Sequence, residues 1–223
     1  MRGFVKRPGT ASPRPEWVTY AQGLAILTIG YNLLEGLAAM GFGWADGSLA
    51  LFGFGADSFI EVGSALLVLW RLRRDAGQPA IAQVRRERQA TQGIGGLLLA
   101  LAVGAAGGAL LQLAGHGHPA TTLPGLVISL VSLSFMYFLW IEKSRAGKAL
   151  DSRTVKADAA CSLACIQLSG VLFGGSLAYL VFPALWWVDA AAALVLAGFI
   201  GKEGFQTLRA AGKPDFQGGC GCH

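Results

Sequence analysis

The chain has 223 residues, of which 53% are apolar and only 14% are charged. Soluble domains are usually about one quarter charged, so this composition indicates a membrane protein and argues against a soluble one. The formal charge of +5 does not require a nucleic-acid partner, because basic loops beside membrane helices set topology and meet anionic lipid.

Six apolar stretches are long enough to cross a bilayer, since a helix needs about 20 residues to cover the hydrocarbon core. They lie at about 17–41, 48–70, 93–115, 122–142, 156–181 and 184–205. The sequence therefore predicts an all-α protein whose residues 17–209 form a six-helix transmembrane bundle. Residues 1–16 are basic and lack the apolar core of a signal peptide, so we expect a cytoplasmic tail there. Residues 210–223 form a second tail.

The orientation follows from the 18 lysines and arginines. All of them lie in the N-terminal tail, in the loops after the second and fourth stretches, or at the C-terminal end. The three short loops on the other side contain none, so the positive-inside rule places both termini in the cytoplasm. Lys143, at the end of the fourth stretch, counts here as one of the loop charges.

Acidic residues inside the predicted spans are the main functional signal. A charge at the centre of a membrane helix costs about 2.5–3.5 kcal/mol, so each such group needs compensation. These residues are Glu35, Asp57, Glu61, Asp158 and Asp189. We expect no lysine close to them, which leaves a bound cation or a proton as the compensation.

Asp57 and Glu61 are spaced i, i+4 and therefore share one face of the second helix. Two ionised carboxylates this close repel each other, so the pair either shares protons or holds a cation. The alternative is a protonated pair that is hydrogen-bonded to its neighbours and has only a structural role.

Cys161 and Cys165 have the same spacing in the fifth helix, and Asp158 lies one turn earlier on that face. At about 1.5 Å per residue, Glu61 and Cys165 lie at similar depths from the cytoplasmic ends of their helices. Two carboxylates and two thiolates would make a four-ligand site, which suits Zn²⁺ and, through the thiolates, Cd²⁺. The alternative is that both cysteines are ordinary small apolar packing residues.

Weaker signals come from polar residues elsewhere. Asn32 and Glu35 are spaced i, i+3 and could line the same cavity, although Asn32 could equally serve helix packing. His116 and His118 lie in an outer loop, where a histidine can catch a metal but is more often simply solvated.

The end of the chain carries three soft ligands within four residues, Cys220, Cys222 and His223. They could form an accessory metal site, although three ligands do not complete a four-ligand site. Gly104 and Gly108 form a GxxxG pattern in the third helix, which predicts a close helix contact.

These motifs resemble the cation diffusion facilitator family. Residues 47–51 (Gly-Ser-Leu-Ala-Leu), followed by Asp57 and Glu61, are similar to the family's second helix, in which the aspartate and its i+4 partner are metal ligands. The family's fifth helix usually carries a His and an Asp, and Cys161 and Cys165 stand in those positions. The family also has six helices with both ends in the cytoplasm.

Other parts of the chain extend the resemblance to about residues 20–209. Asp189 falls where the family has an aspartate in the sixth helix. Segments 32–36, 53–61 and 202–204 are similar to a short bacterial branch that often ends in a cysteine-containing tail. We expect the family's C-terminal cytoplasmic domain to be missing, with its roles absent or carried by other parts.

The resemblance implies a divalent cation transporter of the bacterial inner membrane, not an enzyme. It favours efflux of Zn²⁺ in exchange for protons, with Cd²⁺, Co²⁺ or Fe²⁺ as other substrates and no permanent cofactor. Asp57, Glu61, Cys161 and Cys165 would bind the ion, while Asn32, Glu35, Asp158 and Asp189 would surround them or relay protons.

The expected partners are the lipid bilayer, the metal ion and protons, with a homodimer left open and no nucleic acid. The alternative function is a membrane metal sensor, or a metal-binding protein without transport. A thiol oxidoreductase is disfavoured because its usual CxxC spacing is absent from the sequence.

The predicted topology can be tested with reporter fusions. A reporter fused at residue 80 should be cytoplasmic, and one at residue 117 should be periplasmic, because all the basic residues lie on one side. Activity of the two fusions in the opposite compartments would overturn the topology.

Overall fold

In a computed structural model, six α-helices account for nearly all of the residues that the structure describes, which are 15–45, 49–74, 79–115, 123–182, 187–214 and 216. The helices are α1 (Pro15–Ala45), α2 (Leu49–Arg74), α3 (Ala80–Ala114), α4 (Leu123–Ala149), α5 (Arg153–Val181) and α6 (Val188–Gly212). No strand occurs in these ranges. The predicted all-α, six-helix transmembrane bundle is therefore confirmed.

The helices are longer than the predicted membrane spans. The first has 31 residues and the third has 35, which correspond to about 46 and 52 Å at 1.5 Å per residue, whereas the hydrocarbon core is about 30 Å thick. Because α2 extends to Arg74 and α3 begins at Ala80, most of the segment between the second and third predicted spans is helical. Within the described residues, three segments are long and apolar enough to span a membrane by composition alone: Pro15–Ala45, Gly53–Arg74 and Ile81–Ala114.

Large apolar side chains cover the outside of the bundle. Leu34, Leu37, Val103 and Leu111 are each more than half exposed. In water such a surface would be an aggregation liability, whereas lipid is an apolar solvent for it. The outer surface therefore fits a bundle that faces lipid.

Three helix pairs make the most extensive contacts: α1 with α2, α3 with α6, and α4 with α5. The turn between α4 and α5 is short, and Asp151 adopts the left-handed conformation (φ 46°) that aspartate tolerates better than most residues. The Ser152 hydroxyl then caps α5 by accepting a hydrogen bond from the backbone N–H of Val155 at 3.2 Å. In addition, α2 contacts α5, which places the two ligand motifs side by side.

Glu87 of α3 fastens three helices together at the predicted cytoplasmic end. Its Oε1 accepts hydrogen bonds from the Ser152 hydroxyl and from the backbone N–H of Thr154, both at 2.9 Å. The same buried carboxylate forms an ion pair with Arg71 of α2. Because the Glu87 carboxylate is buried and hydrogen-bonded, it holds α2, α3 and α5 together at the predicted cytoplasmic end of the bundle.

Glycine allows α1 and α2 to approach closely. A Cβ added at Gly55 would lie 2.6 Å from the Cγ of Met40 and 2.8 Å from the carbonyl oxygen of Gly36, distances that real Cβ atoms do not adopt. The tightest point of this pair therefore lies half a turn from Asp57, so the contact also fixes the height of that carboxylate.

The GxxxG prediction for the third helix is wrong within the described bundle. A Cβ added at Gly104 or Gly108 would meet nothing within 4 Å. The close contact of α3 occurs instead at Gly95, where a Cβ would lie 3.2 Å from the carbonyl oxygen of Gly204 in α6. The contact is therefore provided by one glycine from each of two helices, and not by two glycines of the same helix.

Gly55→Ala should destabilise the protein by about 1–3 kcal/mol, because the added methyl group meets backbone atoms of α1 that cannot move aside. Gly53→Ala is the matched control, since a Cβ there meets nothing within 4 Å. Thermal unfolding in detergent measures both variants. Equal melting temperatures for the two variants would contradict the close packing of α1 on α2.

Candidate metal site

The two predicted ligand pairs face each other across the antiparallel helices α2 and α5. Ser64 of α2 lies level with Asp158 of α5, and its hydroxyl donates a 2.5 Å hydrogen bond to Asp158 Oδ1. Further from the predicted cytoplasmic end, Asp57 lies level with Cys165, whose thiol is a hydrogen-bonding neighbour of the Asp57 carboxyl group. Positions earlier in α2 therefore lie level with positions later in α5, as expected for antiparallel helices.

Two thiols and one carboxyl group lie in the part of this interface that is further from the predicted cytoplasmic end. Cys161 and Cys165 are free and buried, and their side chains are hydrogen-bonding neighbours of each other. Asp57 is only 8% exposed, and its Oδ1 has no hydrogen-bond partner. Among the predicted ligands, Cys165 is therefore a neighbour of both Asp57 and Cys161, and one carboxyl oxygen of Asp57 is unsatisfied.

Glu61 has a partner that the sequence analysis excluded. The ammonium group of Lys143 in α4 lies 3.1 Å from Glu61 Oε2 and 3.1 Å from Asp158 Oδ2. Lys143 is 1% exposed, so it is not one of the loop charges. The expectation that no lysine lies near the buried acidic residues is wrong, because the long side chain of Lys143 turns back into the bundle from the end of the predicted span.

The carboxylates on either side of Lys143 differ in how fully they are hydrogen-bonded. Asp158 has a partner on each oxygen, Ser64 on Oδ1 and Lys143 on Oδ2. Glu61 uses only Oε2, and its buried Oε1 has no hydrogen-bond partner. Because an unsatisfied buried carboxylate oxygen is costly, Glu61 is the carboxylate with capacity for another ligand.

Glu35 lies in a different environment, surrounded by hydroxyl groups. Tyr31 donates to Oε1 at 3.2 Å, and Ser58 donates to Oε2 at 3.3 Å. Ser132 of α4 is a third hydrogen-bonding neighbour. The neighbouring Asn32 donates to the Thr28 carbonyl at 2.9 Å, and its Oδ1 has no partner. Both residues are buried, and hydroxyl groups satisfy Glu35 without a metal.

Among the residues that the structure describes, no group of three or more His, Cys, Asp or Glu side chains is already arranged to hold an ion. The four-ligand set of Asp57, Glu61, Cys161 and Cys165 stays a prediction. The Oε2 of Glu61 is paired with Lys143 and is not directed at the other three predicted ligands.

Several predicted residues lie outside the described part of the chain. These are the loop histidines and the accessory ligands of the tail: His116, His118, Cys220, Cys222 and His223. The backbone of Asp189 lies in the first turn of α6, and its side chain is not among those described. Any role for these residues stays a prediction.

The charges at the α2–α5 interface suit a divalent cation. Asp57, Glu61 and Asp158 bring three carboxyl groups into a buried space that contains one ammonium group, that of Lys143. When all the carboxyl groups are ionised, two negative charges are uncompensated, and a buried charge without a partner is strongly disfavoured. A divalent ion bound beside two thiols would remove that imbalance.

Residues 25–213 match the cation efflux transmembrane domain. No curated protein sequence gives a significant match to the chain. The domain match covers most of the chain and includes every buried residue of the site described above. The chain therefore belongs to the cation efflux family and is a multi-pass membrane transporter of divalent metal cations, not an enzyme.

Proposed function

We propose that the protein exports Zn²⁺, or a similarly thiophilic ion such as Cd²⁺, from the cytoplasm in exchange for protons. The observation that carries this proposal is the grouping of Asp57, Cys161 and Cys165 inside an apolar bundle. Oxygen and sulfur ligands together favour Zn²⁺, and thiolate ligands extend the preference to softer ions. Co²⁺ and Fe²⁺ are the other candidate substrates.

Each proposed ligand has a defined part. Asp57 offers a free carboxylate oxygen, and the two thiols lie on consecutive turns of α5. Glu61 completes four ligands by rotating its carboxylate away from Lys143 towards Asp57, one turn along α2. Four ligands of this kind give the tetrahedral shell that Zn²⁺ adopts in proteins.

Proton exchange follows from the chemistry of these ligands. A metal ion binds to thiolates and carboxylates in their deprotonated forms, so loading the ion releases protons. Protons that return from the other side of the membrane compete for the same atoms and expel the ion. Glu35 in its group of hydroxyls, Asp158 and Asp189 are the candidates for passing protons to and from the site.

The direction of transport and the compartment complete the proposal. With both termini in the cytoplasm, the Lys143 and Asp158 level of the site lies nearer the cytoplasm than Asp57 and Cys165 do. An ion that enters from the cytoplasm would therefore meet Asp158 before it meets Asp57 and Cys165. We assign the protein to the bacterial inner membrane, where protons that flow inward down their gradient can drive metal export without a nucleotide.

Asp57→Ala should abolish uptake of metal into inverted vesicles or into proteoliposomes that contain a fluorescent metal reporter. The substitution removes a carboxylate that has a free oxygen and leaves Glu61 and the two thiols with an incomplete ligand shell. Val62→Ala is the control, because it removes buried volume from the same helix without touching a ligand. If the wild-type protein binds Zn²⁺ but gives no signal from the internal reporter, it is a metal-binding protein without transport, which would contradict the proposal.

Substitutions of Cys165 should separate ligand identity from packing. Serine is a poor ligand that keeps its proton at neutral pH, so Cys165→Ser should stop transport of every metal. Aspartate restores an anionic oxygen, so Cys165→Asp should keep part of the Zn²⁺ transport and lose Cd²⁺ transport preferentially. Cys161 variants should follow the same trend more weakly. Unchanged selectivity in folded variants would make the thiols packing residues and point to Glu35 and Asp158 as the remaining ligands.

A further inference from the structure

Lys143 is a buried cation with no role in binding a metal, because an ammonium group cannot act as a ligand. Its Nζ is surrounded by three acceptors: Glu61 Oε2 at 3.1 Å, Asp158 Oδ2 at 3.1 Å and the Ser162 hydroxyl at 2.9 Å. The group is therefore fully coordinated by α2 and α5 while its own backbone belongs to α4.

The two carboxylates that share Lys143 are not equivalent. Asp158 keeps Ser64 as a second partner and lies towards the predicted cytoplasmic end. Glu61 has an unpartnered oxygen and lies one turn from Asp57 on the same helix face. If Glu61 turns to a metal ion, Lys143 keeps Asp158 and Ser162 and is not left as an unpaired buried charge.

We propose that Lys143 is a tethered counter-ion that competes with the transported metal for Glu61, so that a metal ion completes its ligand shell only by displacing the ammonium group onto Asp158. The inference rests on the proposed function, because it takes Glu61 as a metal ligand. It gives Glu61 and Asp158 a counter-ion when no metal is bound.

Competition by a built-in cation weakens metal binding by the free energy needed to separate it from Glu61. A transporter needs such weakening, because an ion held by two thiolates and two carboxylates would leave slowly. Lys143 returns to Glu61 when the ion departs, and so restores the charge balance of the empty bundle. The same ammonium group thereby stabilises the state without metal and speeds release.

The test uses two variants whose metal affinities should move in opposite directions. Asp158→Asn removes the resting partner, so Lys143 binds Glu61 alone and metal affinity should fall about tenfold, within the range usual for coupled binding. Lys143→Met combined with Asp158→Asn leaves the same formal charge as in the wild type but frees Glu61. Metal affinity in this double variant should rise by about tenfold above the wild type.

The affinities are measured with Zn²⁺ by competition with a chromophoric chelator, using full-length chains that carry Cys220→Ser and Cys222→Ser to remove binding at the tail. Asp57→Asn in the same background defines the signal of the buried site. Circular dichroism and size-exclusion chromatography show which variants are folded. If the double variant does not fold, Asp158→Asn still tests the proposal, because unchanged or tighter metal binding in this variant would overturn it.

The possible results are distinct. Affinity in the double variant equal to that of the wild type would mean that Lys143 acts only through the net charge, and would overturn the competition. Unchanged or tighter binding in Asp158→Asn would overturn it as well. Zn²⁺ binding that Asp57→Asn does not reduce would instead contradict the proposed metal site, whatever the Lys143 variants do.

Discussion

The structure depends on the compensation of charge inside an apolar bundle. Three carboxyl groups of α2 and α5 are buried where water cannot solvate them, and Lys143 of α4 is the cation that two of them, Glu61 and Asp158, share. A buried carboxylate without a partner costs several kcal/mol, so the arrangement of α2, α4 and α5 is tied to this ion pair. This compensation does not extend to Asp57, which lies beside the thiol of Cys165 and has an unsatisfied carboxyl oxygen. The same physical constraint thus holds the bundle together and defines where a metal ion would be stable.

The contacts between helices fix the positions of these buried residues. Gly55 brings α1 against α2 near Asp57, while Glu87 fastens the opposite end of α2 to α3 and α5. Between these two points, the antiparallel register of α2 and α5 sets Asp57 level with Cys165 and Ser64 level with Asp158. Alternating access would require α2 and α5 to move without separating these levels, for example by rocking against the remaining helices around a site in mid-membrane.

Much of the fold could be predicted from the sequence, because six apolar stretches and one-sided basic residues leave few arrangements open. The burial of Asp57, Glu61, Cys161 and Cys165 could also be predicted, since i, i+4 spacing fixes a shared helix face. The burial of Lys143 could not be predicted. A lysine at the end of a span can extend its long side chain either to the membrane surface or into the bundle, and the sequence does not show which. Glu87 was missed for a similar reason: it lies in a segment that resembles a loop in composition, and only the longer α3 buries it. The close contacts at Gly55 and Gly95 depend on facing helices, which a pattern within one helix does not reveal.

We expect a metal ion to bind between α2 and α5 with both oxygen and sulfur ligands. X-ray absorption spectroscopy of the Zn²⁺-loaded protein tests it most directly, using the chain with Cys220→Ser and Cys222→Ser so that every sulfur ligand must come from Cys161 or Cys165. We expect two sulfur neighbours at about 2.3 Å together with oxygen neighbours at about 2.0–2.2 Å. A shell of oxygen and nitrogen alone, with the metal still lost in Asp57→Asn, would contradict it and leave the thiols as packing residues.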